Sequence, residues 1–522
     1  MRSAPRPGAE AQVHGHPDGQ QVGCRTRGAA EDIQGRQVDA GALHRVERFA
    51  GAAGRLVLPR GWGRRPGIAS SCAATQRKGV LTAHLGNRHG LTMTLAQDTD
   101  LYPGGMAKSP MRVGIVGAGI GGLSLALALR ERGLQAEVFE QAAELTEIGA
   151  AIALSANGLR EYARLGLVDE LAAASTIPTE LIYRHWRDGS RIAAHPVRQD
   201  RWYEKRFGAP YFGIHRADLQ ATLSRAFGVE NLHLGCRLVN IVEQADSVVL
   251  EFANGRTHEA DLVVGADGVR STTRRWVTGA DDALYSGTSA FRGIVPTENL
   301  PSLPDPHAIQ FWMGPDGHLL HYAIGANGES VNFFAVVETP RIWLHEGSVA
   351  EVGEEVPVAS FRGWHPAVTE MIQAASSPIR WGLFTVRPLL RWYRGRVVIL
   401  GDAAHGMLPH HGQGANTSIE DAFALAGLLA EARPDRLEAT FSRYQALRRA
   451  RTRKIQRSAW VTSPLLHLPD GPAARARNQK VGTVPEDFGW IHEYDVQQAL
   501  QASGAAAATG SGTRRQSRQE AR

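Results

Sequence analysis

Residues 112–122, Arg-Val-Gly-Ile-Val-Gly-Ala-Gly-Ile-Gly-Gly, constrain the fold more than any other stretch. A short apolar run enters a glycine turn, and residues 123–132 then recur with helical spacing and stop at Gly133. The pattern predicts a buried strand, a tight turn and a helix. In this G-x-G-x-x-G arrangement Gly117 permits the turn, Gly119 lets backbone approach a pyrophosphate, and Gly122 lets the helix pack close to its sheet. A second apolar stretch, 136–139, ends at Glu140, eighteen positions past Gly122, where a carboxylate can accept hydrogen bonds from a ribose diol. Strand, turn, helix and distal acid in that order predict a dinucleotide site.

Two later segments repeat the logic. Residues 261–271 (DLVVGADGVRS) and 396–405 (RVVILGDAAH) each lead an apolar parallel-type strand into a glycine turn bearing an aspartate, Asp267 beside Gly268 and Asp402. Isolated strand ends tolerate Gly and Asp. Three such corners in one chain point instead to one nucleotide approached from several strand ends. Between the last two corners, alternating segments at 290–295, 308–313, 318–324 and 331–337 are split by Gly, Pro and Asn and predict an inserted antiparallel sheet, with strand character also at 181–196. Helices are expected over 156–165 and from about 214, with Arg216 near the start of the second. Ser418 and Asp421 have the spacing of a capping box ahead of an apolar helix at 422–429.

Charge argues against a nucleic-acid partner. The chain of 522 residues carries a formal +6, but residues 1–110 hold 15 Lys+Arg against 8 Asp+Glu, or +7, which leaves −1 for the remainder. Basicity belongs to the leading segment, so no nucleic-acid face is expected on the folded body. That segment is rich in Gly, Arg, Ala and Pro and lacks apolar runs long enough for a signal peptide or a membrane span. Met93, Met106 and Met111 stand shortly before the first strand, so residues 1–105 are expected to be disordered or not translated, and 503–522 to be a solvated tail. Cys24, Cys72 and Cys236 are odd in number and far apart, which fits a reducing cytoplasm and suggests neither disulfide nor metal site.

The three corners together, GAGIGG at 117–122 with Glu140, GADGVRS at 265–271 and GDAAHGMLPHHGQGANTSIEDA at 401–422, resemble the class A flavoprotein aromatic monooxygenases, the group of salicylate hydroxylase and 3-hydroxybenzoate 6-hydroxylase. Segments 467–471 (HLPDG) and 494–496 (YDV) extend the likeness toward the C-terminus. The resemblance implies an α/β fold: a Rossmann-like FAD-binding domain in three parts (111–180, 211–285, 383–435), an inserted antiparallel β-sheet substrate domain (181–210 and 286–382), and a C-terminal helix and tail (436–502).

It further implies FAD as cofactor, NADH or NADPH as co-substrate, and a small aromatic substrate with molecular oxygen, hydroxylated through a flavin hydroperoxide in a cytoplasmic monomer or homodimer without metal or membrane. Gly117, Gly119, Gly122, Glu140, Arg216, Asp267, Gly268 and Asp402 are the implied FAD residues. Gly414, Ala415 and Asn416 belong to a loop and helix start against the flavin, where the positive end of the helix favours the reduced anionic ring. His318 and Tyr322 are the implied residues at the substrate. If 318–322 is a strand, these two share a face with Leu320 while His321 points away, the ends about 13 Å apart. Arg292 and Arg387 are candidate partners for a substrate carboxylate. His410 and His411 fall in the loop by the flavin, and His405 reads as structural. Two alternatives stay open: a flavin-dependent oxygenase of another class, such as an epoxidase or an antibiotic or polyketide hydroxylase, and a dinucleotide-binding protein without turnover.

Overall fold

A computed structural model describes residues 74–77, 80–83, 111–145, 151–280, 283–375 and 379–504. The chain forms two units, 1–104 and 105–522. In the first, strands Ala74–Arg77 and Val80–Ala83 pair antiparallel, where composition predicts no regular structure. The rest of the expectation for 1–105 lies outside the described residues, and so does that for 503–522 except at 503–504, which end a helix rather than belong to a tail.

The second unit opens with β1 (Arg112–Val116), four of its five residues buried, which turns at Gly117 into α1 (Ile120–Glu131) and β2 (Gln135–Phe139). Helix α2 (Ala156–Arg164) follows, then the hairpin β3 (Glu180–His185) and β4 (Arg191–Pro196), α3 (Arg216–Phe227) and the short β5 (Leu232–His233). Strand β6 (Leu262–Gly265) is buried throughout. Four long strands come next, β7 (Ala283–Pro296), β8 (Ile309–Gly314), β9 (Gly317–Ile324) and β10 (Ser330–Glu338), followed by β11 (Val349–Glu351), α4 (Pro366–Ala374) and β12 (Ile379–Val386). The chain returns through β13 (Tyr393–Arg394) and β14 (Val397–Ile399) to the buried α5 (Gly414–Ala430) and the thirty-residue α6 (Leu437–Leu466). The expected C-terminal helix is thus α6 followed by shorter helices at Pro472–Lys480, Val484–His492 and residues 496–504.

Two sheets organise this unit. One has the order β5-β2-β1-β6-β14-β13, parallel except at the β13 edge. Strands β1, β6 and β14 are adjacent, so the three glycine corners emerge side by side at the carboxyl ends of neighbouring strands. Apolar strands covered by helix α1 on one face and by the antiparallel ribbon of residues 238–260 on the other explain the unbroken Val/Ile/Leu runs. The other sheet has the order β11-β12-β7-β10-β9-β8-β3-β4 and is antiparallel except where β3 joins β8 in parallel. One of its faces packs Phe291, Trp312, Leu319 and Phe333 against the α4 residues Ala367, Val368 and Met371. Alternation along the strands and register between them put Leu320, Tyr322, Arg292, Phe334 and His318 on the opposite face.

Candidate active site

The corners converge because glycine permits it. Gly117 has φ +104°, and a Cβ there would lie 2.6 Å from the Ala266 carbonyl oxygen of the β6 corner. A Cβ on Gly122 would lie 2.0 Å from the Gly117 carbonyl oxygen, whereas one on Gly119 meets nothing within 4 Å. Gly122 therefore serves close packing and Gly119 opens onto space, the division of labour expected for a pyrophosphate cradle. Gly119 also caps α1 without any side-chain hydrogen bond, which leaves the first amides of the helix directed at that space. Glu140 Oε2 accepts from the Ala118 amide at 2.8 Å and Oε1 from the Ala142 amide at 2.9 Å, so backbone fixes the carboxylate and its remaining lone pairs face outward.

Gln220 was not foreseen. On α3, one turn beyond Arg216, its Nε2 donates to the Ala118 carbonyl at 2.8 Å while its buried Oε1 has no partner among the described residues. Spacing four from Arg216 was the available signal. A buried acceptor beside the cradle, open space at Gly119 and uncapped helix amides together fit FAD.

The β14 corner carries the other end. A Cβ on Gly414 would lie 3.8 Å from Asp402 Oδ1, which places Asp402 at the start of α5. Gln413 caps α5 without a side-chain hydrogen bond, so the Gly414, Ala415 and Asn416 amides are the positive end of a seventeen-residue helix. Asp402 opens onto a cleft yet is walled by protein, and that burial raises its carboxyl above the usual range against the pull of His405, Arg216 and Arg274. Arg216, the first residue of α3, is thus close enough to Asp402 to act on its charge.

Two implied side chains are otherwise engaged. Asp267 Oδ2 accepts from the Thr273 amide at 2.9 Å and Oδ1 from the Ser271 hydroxyl at 2.5 Å, which ties the β6 corner to the following helix. Asn416 Oδ1 accepts from the Ser155 amide at 3.0 Å and its Nδ2 donates to the Ala153 and Gly412 carbonyls. Asp267 is therefore left to shape the loop at Gly268 (φ +76°), and Asn416 to offer its backbone.

The capping-box reading of Ser418 and Asp421 is incorrect. Helix α5 starts at Gly414; Ser418 Oγ bonds back to the Gly414 carbonyl at 2.8 Å, and Asp421 accepts from the Gly401 amide at 2.9 Å, from Arg448 Nε at 2.6 Å and from His405. Distant partners satisfy the carboxylate better than its own helix could. His405 is accordingly a structural residue.

On the substrate sheet His318 is 2% exposed and sits edge-on to His410, ring centroids 5.2 Å apart. This brings β9 against the loop that leads into α5. His318 Nδ1 is 2.8 Å from His467 Nε2, and His467 Nδ1 is 3.1 Å from Glu338 Oε1. His467 arrives from the end of α6, 149 residues away in sequence. Burial lowers His318 well below the usual histidine range, with His467 and His410 adding to the effect. It pushes His410, whose two ring nitrogens have no partner among the described residues, down to about 3.

Tyr322 lies at the other end of the face in an apolar cluster with Ile309 and Ile324, and burial raises its phenol. His321 is on the far face, next to Trp312, as the pleat requires. The Arg292 guanidinium carbon lies 3.3 Å from the Trp381 ring centroid, whereas Arg387 is exposed beyond β12. His411 bonds Ser458 and packs on Phe488. A cavity of about 220 Å³ lies between the two sheets' elements, lined among others by Phe334, Leu383, Asp402, Met407 and Pro409. Among the described residues no helix is long and apolar enough to cross a membrane, and no three His, Cys, Asp or Glu side chains are grouped to hold a metal.

Comparison with known proteins agrees with this geometry. A family model described as an FAD binding domain matches residues 110–459. The chain is 40% identical over 389 residues to 3-amino-4-hydroxybenzoate 2-monooxygenase of Streptomyces cremeus, covering 74% of this chain and 96% of that protein. It is 34% identical over 354 residues to 6-hydroxynicotinate 3-monooxygenase of Pseudomonas fluorescens, covering 67% and 91%. A solved salicylate hydroxylase substrate complex superimposes with a TM-score of 0.66 at 29% identity, covering 76% of this chain and 98% of that one. With its three glycine corners, its inserted sheet and these relatives, the chain belongs to the class A FAD-dependent aromatic monooxygenases.

Proposed function

We propose that this enzyme hydroxylates a small aromatic acid bearing a ring hydroxyl, of the aminohydroxybenzoate, hydroxybenzoate or hydroxynicotinate type, at the expense of NADH or NADPH. The observation that carries this reading is the meeting of His318 with the His410 loop, which sets one buried, neutral imidazole beside the place where α5 begins. Bound FAD supplies the redox chemistry that takes hydride from a nicotinamide and activates dioxygen.

The chain's own residues do the rest. Gly117, Gly119, Gly122, Glu140, Arg216, Gln220 and Asp402, with the Gly414–Asn416 amides and the Asp267–Gly268 turn, would hold FAD. The apolar walls from β10 and β12 exclude water. A phenol attacks an electrophilic oxygen better once it has lost its proton, and His318, being neutral, is able to take it. Tyr322, held as a phenol, donates a hydrogen bond rather than ionising. Arg292 shares the site face and is register partner of the cavity residue Phe334, which suits it to a substrate carboxylate. The relatives' named substrates, 3-amino-4-hydroxybenzoate and 6-hydroxynicotinate, each carry hydroxyl and carboxylate on one ring.

The test is oxidation of NADH and NADPH by FAD-loaded protein over 3-amino-4-hydroxybenzoate, 6-hydroxynicotinate, salicylate, 3-hydroxybenzoate and phenol, with product identification. The acids should outpace phenol, and carbon dioxide release would mark a salicylate-type outcome; hydroxylation of none of the acids overturns the reading. His318→Gln should retain FAD and lose about a hundredfold in turnover, and wild-type turnover in that variant removes His318 from the mechanism.

A further inference from the structure

We propose that His467 and Glu338 are positioning residues that fix the tautomer of His318 and carry its proton to the surface. The inference rests on the reading of His318 as the base. Three side chains from three elements form a line: His318 on β9, His467 just past α6 and Glu338 at the end of β10. The two imidazoles meet edge to edge, with centroids 5.0 Å apart and planes 27° apart. The His467 side chain is 1% exposed and that of Glu338 is 51% exposed, so the line runs from the interior to solvent. Backbone holds it in place, since the Asp316 amide donates to the His467 carbonyl at 3.1 Å and the Glu338 amide to the Asp316 carbonyl at 2.9 Å.

Hydrogen-bond polarity follows from the carboxylate. Glu338 as a carboxylate only accepts, so His467 Nδ1 carries the proton of that bond. His467 Nε2 is then an acceptor, and the proton of the 2.8 Å bond belongs to His318 Nδ1. His318 therefore keeps a bare Nε2 lone pair for the site, the form a base must have. His410, with neither nitrogen bonded among the described residues, has no such instruction.

The same line answers a difficulty that burial creates. The groups facing His318 are His410 and His467, and those facing His467 are His318, Glu338 and Asp316. Among the described residues no anion touches His318, so a proton left on it would be a buried, unpaired charge. Passed on, it is not. The substrate O–H gives its proton to His318 Nε2, His318 Nδ1–H goes to His467 Nε2, and His467 Nδ1–H goes to Glu338 Oε1 and then to water. No electrons change hands. The rings regain their first tautomers when the product oxygen takes a proton back along the same path.

Two measurements on the FAD-loaded full chain test this. Nitrogen-15 NMR of ring-labelled histidine should show His318 protonated at Nδ1 and bare at Nε2, and Glu338→Ala should mix the two forms; a wild-type His318 protonated at Nε2 overturns the proposal whatever the substrate is. With 3-amino-4-hydroxybenzoate as probe, Glu338→Ala and His467→Gln should lower kcat about tenfold or more with KM unchanged. Glu338→Asp should recover most of the rate, and added formate should rescue Glu338→Ala but not His467→Gln, effects that a packing role would not produce. Wild-type kcat in both variants, with His318→Gln impaired, rejects the relay and spares the base. Wild-type kcat in His318→Gln as well rejects both.

Discussion

Two buried polar clusters lie on either side of the loop from Asp402 to Gly414, and they are built on opposite rules. Behind α5, Glu420 and Asp421 meet Arg448 and Arg451 as matched charges, and Asp421 also bonds His405. Arg448 reaches Glu420 at 2.5 Å and Asp421 at 2.6 Å, Arg451 reaches both Glu420 oxygens at 2.7 Å, and all four carboxylate oxygens have partners. Across the loop, His318, His410 and His467 are buried as neutral rings, and His410 bonds to nothing among the described residues. A cluster whose charges are paired holds backbone in place, here Gly401 and the start of α5. Unmade bonds occur in both, at Arg448 Nη1 and His405 Nδ1 in the first and at both His410 nitrogens in the second, so what separates the two among the described residues is charge. The first thus braces the start of α5 with charge pairs, while the second sets neutral rings beside it, on the side of the proposed substrate site.

The largest expected effect breaks the first cluster. Arg448→Met leaves two buried carboxylates short of a counter-charge and should cost about 3–5 kcal/mol in denaturant unfolding; a loss below about 1 kcal/mol would erase the distinction between the clusters. Next in size is the dependence of stability on pH, where the two separate.

Burial would raise Asp421, yet His405 and Arg448 hold it at about 2, below its unfolded value of about 3.9. Its contribution is present above about pH 4 and is lost as pH falls toward 2. His410, held neutral down to about 3, acts in another window: the unfolded chain binds a proton below about 6.5 and the folded one does not, so stability declines from there down to about pH 3. Each group steepens the slope by at most about 1.4 kcal/mol per pH unit. Asp421→Asn should flatten only the lower limb and His410→Leu only the upper, and a single shared limb would contradict the assignment. The smallest effect is at neutral pH. His410→Leu removes two unmade hydrogen bonds and should leave stability unchanged or raise it by about 1 kcal/mol, yet slow hydroxylation; equal losses of stability and turnover would make His410 an ordinary core residue.

The two clusters also differ in how legible they were. Residues 401–422 announced the cradle and the site of α5, but the S-x-x-D spacing gave the wrong role for Asp421, because the Gly401 amide and His405 lie on another element. His318 and Tyr322 were singled out by the family resemblance; their shared face and the turning away of His321 followed from strand alternation. The HLPDG segment carries no hint of the bond from His467 to His318, because that partner lies 149 residues away.

From sequence alone came the three glycine corners, the inserted sheet and, through the resemblance those motifs carry, the family. Each is written in local pattern, since a strand's burial, a glycine's positive φ and a helix's period depend on neighbours a few residues away. Tertiary structure alone decided that β1, β6 and β14 stand side by side, that Asp402 meets the start of α5, and that β9, α6 and β10 align His318, His467 and Glu338. Those contacts join residues far apart in the chain, and their partners are chosen by packing and by the need of each buried polar group for a mate.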